Sequence, residues 1–192
     1  MTVLIRHGQS SANAGLRSKN PAEPPLTDKG WAQAHALVPE VARTNMLIVS
    51  PFIRSQQTAS VLAEAWGVVP EVWDVQEWTC LEATRIIGSD HEERAVLVRE
   101  YLRRWNPKHV EGPNAESFEQ FIARVDAFLL RVSALEHSAT AVSHAWFMKA
   151  VLWRGGHSGK IDANAMKSYW AFANRFEIRN CQWFRIKFGT EG

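Results

Sequence analysis

The sequence predicts an α/β fold of three layers, α/β/α, built around a mainly parallel central sheet. Three short apolar runs, at residues 2–5, 46–49 and 140–142, each stop abruptly at polar, reactive residues, as buried strands feeding loops do. Helical patterns of apolar residues separate these runs, and strands alternating with helices bury both faces of a parallel sheet. Right-handed crossovers bring the C-terminal ends of such strands to one edge, where ligands bind.

Taken in order, the first run is β-branched and aliphatic and ends at Arg6-His7-Gly8. Residues 15–25, with Gly15, Pro21, Pro24 and Pro25, form a loop, and a helix is expected over 30–41. The second strand runs into Ser50-Pro51, and Pro51 stands where helix starts favour proline, so 52–66 reads as the next helix. At 71–76, Val and Trp alternate with polar residues as in a short strand. The stretch 78–115 interrupts the alternation. Its helical pattern at 92–105 carries Val96, Leu97, Tyr101 and Leu102 between Gly88 and the group Pro107, Gly112 and Pro113, which reads as an insertion roofing the site. Helices follow at 118–135 and, after the third strand and Ser143-His144, at 146–153, while 176–188 alternates as a final strand or hairpin.

A chain of 192 residues with 46% hydrophobic content buries a sizeable core, and no break divides it. Residues 1–192 are therefore expected to form a single domain, with 78–115 as its insertion. Lys+Arg 22 against Asp+Glu 20 leaves a net charge of +2, far from the clustered excess of a protein that tracks nucleic acid. Any anionic ligand must be met by local charge. No segment approaches about 18 consecutive apolar residues, and the start MTVLIRHG carries no signal-peptide pattern, so the expectation is a cytoplasmic protein without a membrane partner. Cys80 and Cys181 lie far apart with no CxxC or Cys/His spacing, which predicts free thiols. His35, His91, His109, His137 and His157 lack metal-ligand spacing and read as surface residues. The mixed aromatic and basic run around Tyr101 to Trp105, with Glu92, Glu93 and Glu100 nearby, reads as an amphipathic helix on a solvated face. Nine Trp residues are expected mostly in the core or in site walls, and exposed ones in the last forty residues would support a homodimer.

The chemistry lies at the strand ends. A phosphate monoester carries close to two negative charges, so its nucleophile must be neutral and surrounded by fixed cations. Arg6 beside His7 suits that need, because a cationic neighbour disfavours protonation of the ring. Gly8 is expected to let the backbone pass close to a ligand. Isolated, an Arg at a strand end is a surface ion-pair partner and a His after a strand is a polar cap; the case rests on several such residues occurring as a set.

That set is present. Arg6-His7-Gly8-Gln9-Ser10-Ser11-Ala12-Asn13, then Ser50-Pro51-Phe52-Ile53-Arg54-Ser55-Gln56-Gln57-Thr58-Ala59, resembles the two signature blocks of the histidine phosphatase superfamily, the phosphoglycerate mutase-like proteins. Pro25-Leu26-Thr27-Asp28-Lys29-Gly30-Trp31-Ala32-Gln33-Ala34 resembles the family's helix start, with Thr27 as a candidate N-cap. Glu116-Ser117, Arg124-Val125 and Val142-Ser143-His144 follow in the family's order, so the resemblance spans nearly the whole chain.

The resemblance implies a phosphoglycerate mutase-like fold. It implies that His7 is the phosphorylated nucleophile, that Arg6, Arg54 and His144 hold the phosphoryl oxygens, and that Asn13 adds a neutral donor. Two guanidiniums offer planar forks to those oxygens, which lysine does only as a point charge. Neither metal nor cofactor is implied. The family's general acid is either an Asp after the second His or a mid-chain Glu; Ala145 rules out the first, leaving Glu77 favoured over Glu82 because it follows the 71–76 strand. Ala145 and Ala115 replace the Gly usual at those places.

The expected activity is hydrolysis of a small phosphorylated metabolite through a phosphohistidine on His7. A phosphoglycerate-type mutase and a non-catalytic phosphate-binding module are the alternatives: the first is disfavoured by the short chain, the second by retention of His7 and Glu77. Arg17, Lys19 and Arg85 are candidates for a second anionic group of the substrate.

Overall fold

The computed structural model describes residues 1–17, 20–89 and 91–187. Five strands and seven helices are placed among these residues. In chain order they are β1 (Thr2–Arg6), α1 (Asp28–Glu40), β2 (Met46–Val49), α2 (Ile53–Trp66), β3 (Glu71–Val72), α3 (Ala83–Ile86) and α4 (His91–Arg103). There follow α5 (Phe118–Ser133), β4 (Ala139–Ser143), α6 (Ala145–Arg154), α7 (Ala163–Ala173) and β5 (Trp183–Ile186).

The sheet order is β3-β2-β4-β1-β5, parallel except for β5, which runs antiparallel to β1. The period-two alternation of the strands divides the core into two layers. Val3, Ile5, Leu47, Val49 and Val142 point to one face and pack with Leu37 of α1 and Ala59, Leu62 and Trp66 of α2. Leu4, Ile48, Ala139 and Ala141 point to the other, where Phe118 and Phe121 of α5, Phe147 of α6 and Met166 and Tyr169 of α7 cover them. Each such large apolar side chain contributes about 1.5–3 kcal/mol on burial. β4 is buried at every position, as a central parallel strand covered on both faces must be. No helix among the described residues is long and apolar enough to cross a membrane.

Two expectations change. β3 is only two residues long, because it pairs only with Ile48 and Val49 at the end of β2, and the chain then leaves the sheet toward Glu77. The C-terminal segment forms a strand against β1, one of the two forms expected of it. Helix α7 went unforeseen, although Asp162 caps it by accepting from the amides of Asn164 and Ala165. Cys80 and Cys181 are free thiols. Two of the histidines read as surface residues are partly buried: His109 meets Glu111, and His157 stacks on Trp153 with ring centroids 4.2 Å apart. The side chain of His91 lies outside the described residues. No described Trp in the last forty residues is exposed, so the argument for a homodimer from exposed indoles falls away.

Gly8 serves packing within the fold. A Cβ on it would lie 2.5 Å from the carbonyl oxygen of Gly30, and a Cβ on Gly30 would lie 2.1 Å from that of Gln9. The loop carrying His7 therefore lies backbone to backbone against the first turn of α1. In an open helix, Gly→Ala stabilises by up to about 1 kcal/mol. Here Gly30→Ala is expected to reverse that sign and destabilise by about 1–3 kcal/mol, read from urea midpoints, with a loss of activity as the loop is displaced.

Candidate active site

β1, β2 and β4 end side by side, and the residues that follow them meet. The backbone amide of His7 donates to the Ser143 carbonyl at 3.0 Å, extending the β1–β4 ladder by one bond and fixing where the ring begins. The His7 ring is buried, and its Nδ1 lies 2.7 Å from the carbonyl oxygen of Gly8. That acceptor holds the proton on Nδ1 and leaves the lone pair on Nε2. Nε2 accepts from Nε of Arg54 at 3.0 Å. Burial first, then Arg54 and Arg6, hold the His7 pKa well below the usual 6.5, so the ring is neutral at physiological pH.

Arg54 is the second residue of α2, so its guanidinium and the helix N-terminus approach the same place. Its Nη1 donates to the Pro21 carbonyl at 2.6 Å, and its guanidinium carbon lies 4.9 Å from the centroid of Phe52. Burial lowers its pKa to about 10, which still leaves it charged. Arg6 donates from Nη1 to the Ile178 carbonyl at 2.5 Å, while its Nε is buried without a partner. Asn13 accepts at Oδ1 from Ser10 and from Nδ2 of Asn180, leaving its own Nδ2 as the donor. Asn180, which sequence reasoning missed, also donates to the His7 carbonyl at 3.0 Å and so ties the nucleophile loop to the turn before β5.

The signature blocks also carry the latches of this loop. Thr58 accepts from the Gly8 amide at 3.0 Å and donates to the Arg54 carbonyl at 2.8 Å, joining α2 to the His7 loop through one hydroxyl. Ser55 donates to the Val142 carbonyl, and Gln33 accepts from the Gln9 amide. Thr27 caps α1 by accepting from the Gly30 amide at 3.1 Å, as expected.

Arg6, His7, Asn13, Arg54 and Glu77 line one cavity of about 300 Å³. His144 does not line it. Its ring is fully buried, 4.9 Å from that of His7 between centroids, with Nε2 2.7 Å from Ser50 Oγ and Nδ1 unpartnered. Burial, then Arg54, His7 and Arg6, keep its pKa well below 6.5, so it is a neutral ring.

Glu77 accepts at Oε1 from the amides of Trp78 and Trp146, at 3.2 and 3.0 Å. Burial raises its pKa above the usual carboxylate value; Arg54, Arg6 and the two amides oppose that rise. A carboxyl that resists ionisation while its second oxygen keeps a proton is suited to donation. Glu82 stands at the N-cap of α3 with its carboxylate against Gly112, outside the cavity wall.

The segment bearing Glu77 is clasped from behind. Arg124 holds Glu116 through a two-pronged pair, at 2.6 and 2.7 Å, and donates from Nη1 to the carbonyls of Asp74 and Gln76. Ser143 Oγ adds a bond to the Val75 carbonyl, and Trp78 Nε1 donates to that of Glu116. Arg124 is thus a positioning residue for the Glu77 segment. Arg124→Gln is expected to lower turnover of alkyl phosphates on the order of 10²-fold and of nitrophenyl phosphate far less, since only the alkoxide leaving group needs a well-placed proton. A variant that was merely loosened would lose both alike.

The specificity candidates fall elsewhere. Arg85 pairs with Glu111, which also gathers Arg104 and His109 at 2.6 Å each. Arg17 donates to the Gly88 carbonyl and lies 3.8 Å from Glu93. Neither lines the cavity, and Lys19 lies outside the described residues. The walls beyond the phosphate end come instead from Ile86 of α3, Arg94 and Val98 of α4, Trp146 of α6 and Trp170 of α7. None of these five was singled out in the sequence.

The chain is similar to known proteins over nearly its whole length. A model of the histidine phosphatase superfamily, branch 1, matches residues 2–192. Phosphoserine phosphatase 1 of Hydrogenobacter thermophilus is 31% identical over 163 residues, covering 78% of this chain and 72% of that protein. Adenosylcobalamin/alpha-ribazole phosphatase of Escherichia coli is 27% identical over 162 residues, covering 79% and 76%. The solved structure of a mycobacterial glucosyl-3-phosphoglycerate phosphatase with VO3 has a TM-score of 0.71 at 21% identity, over 95% of this chain and 90% of that one, a likeness of fold.

Proposed function

The chain belongs to the histidine phosphatase superfamily and is a phosphatase enzyme, and on that premise we propose that it hydrolyses a small phosphomonoester through a phosphohistidine on His7. One observation carries the reading: a neutral imidazole has its proton fixed on Nδ1 by the Gly8 carbonyl, its Nε2 accepts from Arg54 Nε, and Arg6, Arg54 and Glu77 line the same cavity.

The phosphoryl oxygens are taken by Arg6, Arg54 and Asn13 Nδ2. Binding draws Arg54 Nε from His7 Nε2 onto an oxygen, which frees the lone pair for in-line attack on phosphorus. As the N–P bond forms, the P–O bond to the alcohol breaks and Glu77 gives its proton to the departing oxygen. His144 Nδ1, buried and unpartnered, is the donor left for an oxygen of the group now on His7. Water then gives a proton to the Glu77 carboxylate and attacks phosphorus, and the electron pair of the P–N bond returns to Nε2. The charges of the two guanidiniums do the work that a metal does elsewhere, so the reading requires none. The two free thiols fit a cytoplasmic site of action.

A panel of phosphoesters that includes phosphoserine, alpha-ribazole phosphate and phosphoglycerates tests this function. Release of inorganic phosphate from at least one ester supports it. An isomer accumulating from phosphoglycerate in place of phosphate would point to a mutase, and phosphate binding without turnover of any ester to a binding module.

A further inference from the structure

We propose that the substrate is a phosphomonoester whose alcohol carries an aromatic or similarly planar apolar ring, rather than a short carboxylated or polyhydroxylated alcohol. This rests on the phosphatase reading and concerns the part of the cavity beyond the phosphate. There the walls are Trp78, Leu81, Ile86, Val98, Trp146 and Trp170, drawn from the insertion, α6 and α7. Trp146 and Trp170 are stacked, with centroids 5.0 Å apart and planes within 9°. The Trp146 carbonyl accepts from the Tyr169 hydroxyl at 2.9 Å, and Lys149 Nζ lies 5.5 Å from the Trp146 ring centroid, so this indole is held in place before any ligand arrives.

Beyond Arg6 and Arg54, the cavity wall carries one further cation, Arg94. Its Nε and Nη2 edge is already committed to Ser89, donating to Oγ at 2.9 Å and to the carbonyl at 2.8 Å. One of the two bidentate edges of the guanidinium is thus taken, which leaves this wall less suited to a two-pronged grip on the carboxylate of a phosphoglycerate or an amino acid phosphate. Thr79 stands on the same wall, but hydroxyls or a carboxylate set against the six apolar side chains would lose more water than they regain in partners. A ring would lose only unfavourable contact with water and would gain an aromatic neighbour in Trp170.

The test compares esters whose leaving groups are all primary alcohols, so that chemistry does not bias the outcome: benzyl and naphthylmethyl phosphate against glycerol phosphate and phosphoserine. The arylmethyl esters are expected to show kcat/KM higher by about 10- to 100-fold. Trp170→Ala should lower the ratio of arylmethyl to glycerol phosphate kcat/KM by about tenfold, mainly through KM, and Trp170→Phe should keep most of it. Equal or better turnover of the hydrophilic esters, or an unchanged ratio in well-folded Trp170→Ala, would overturn the proposal while leaving the phosphatase reading intact. Absence of turnover for every ester would overturn both.

Discussion

His7→Ala is expected to lower kcat on the order of 10⁴-fold or more, because no other described residue lining the cavity offers a neutral imidazole lone pair beside Arg54. The loss should fall on kcat alone. Arg6 and Arg54 remain, so inorganic phosphate should bind the variant with an affinity close to that of the wild type, measured by calorimetry. Binding should, if anything, tighten, since Arg54 Nε no longer has to leave His7 Nε2. The ring lies at the cavity wall, 4.9 Å from that of His144 between centroids, and the variant is expected to fold, as near-UV circular dichroism would report. In the wild type, protonating His7 has the same effect as deleting it. Its lowered pKa places that acid limb of kcat/KM well below pH 6.5.

Glu77→Gln should cost about 10² to 10⁴ in kcat for alkyl phosphates, the range for losing a general acid. The carboxamide keeps the size of the side chain and can still accept from the amides of Trp78 and Trp146, so the loss reports the proton rather than the packing. Its sign with pH is fixed. The acid acts when protonated, and burial raises its pKa, so the wild type loses rate as pH rises through that raised value. The gap between wild type and Glu77→Gln is therefore widest below the raised value and narrows above it. With nitrophenyl phosphate, whose leaving group departs without a proton, the gap should be much smaller at every pH.

Much of this was legible in the sequence because it depends on local order. Runs of apolar residues ending at His7, Ser50 and His144 marked three strands, and the parallel arrangement alone brings such ends together. The cap of α1 followed from Thr27, and Pro51 stands just before Phe52, the N-cap residue of α2. What stayed hidden depends on which surfaces meet. Glu77 was chosen for standing at the end of a strand; that strand is two residues long, and what places the carboxyl is the clasp of Arg124 and Glu116, some forty residues later. Gly8 was read as clearance for a ligand, but its missing side chain makes room for Gly30. Arg17 and Arg85 were selected for charge in the right segments, and each is turned to partners within the loop and insertion. Of the cavity walls, Ile86, Arg94 and Val98 come from the insertion, whereas Trp146 of α6 and Trp170 of α7 are brought there by helix packing that no local pattern encodes.

The chemistry proposed for the amino-terminal imidazole is tested most directly by rapid-quench turnover of a ³²P-labelled ester, followed by peptide mapping. The account predicts a label on the peptide containing His7, lost in acid and stable in alkali, that forms and decays within one turnover. Steady turnover with no such label at any quench time would contradict it.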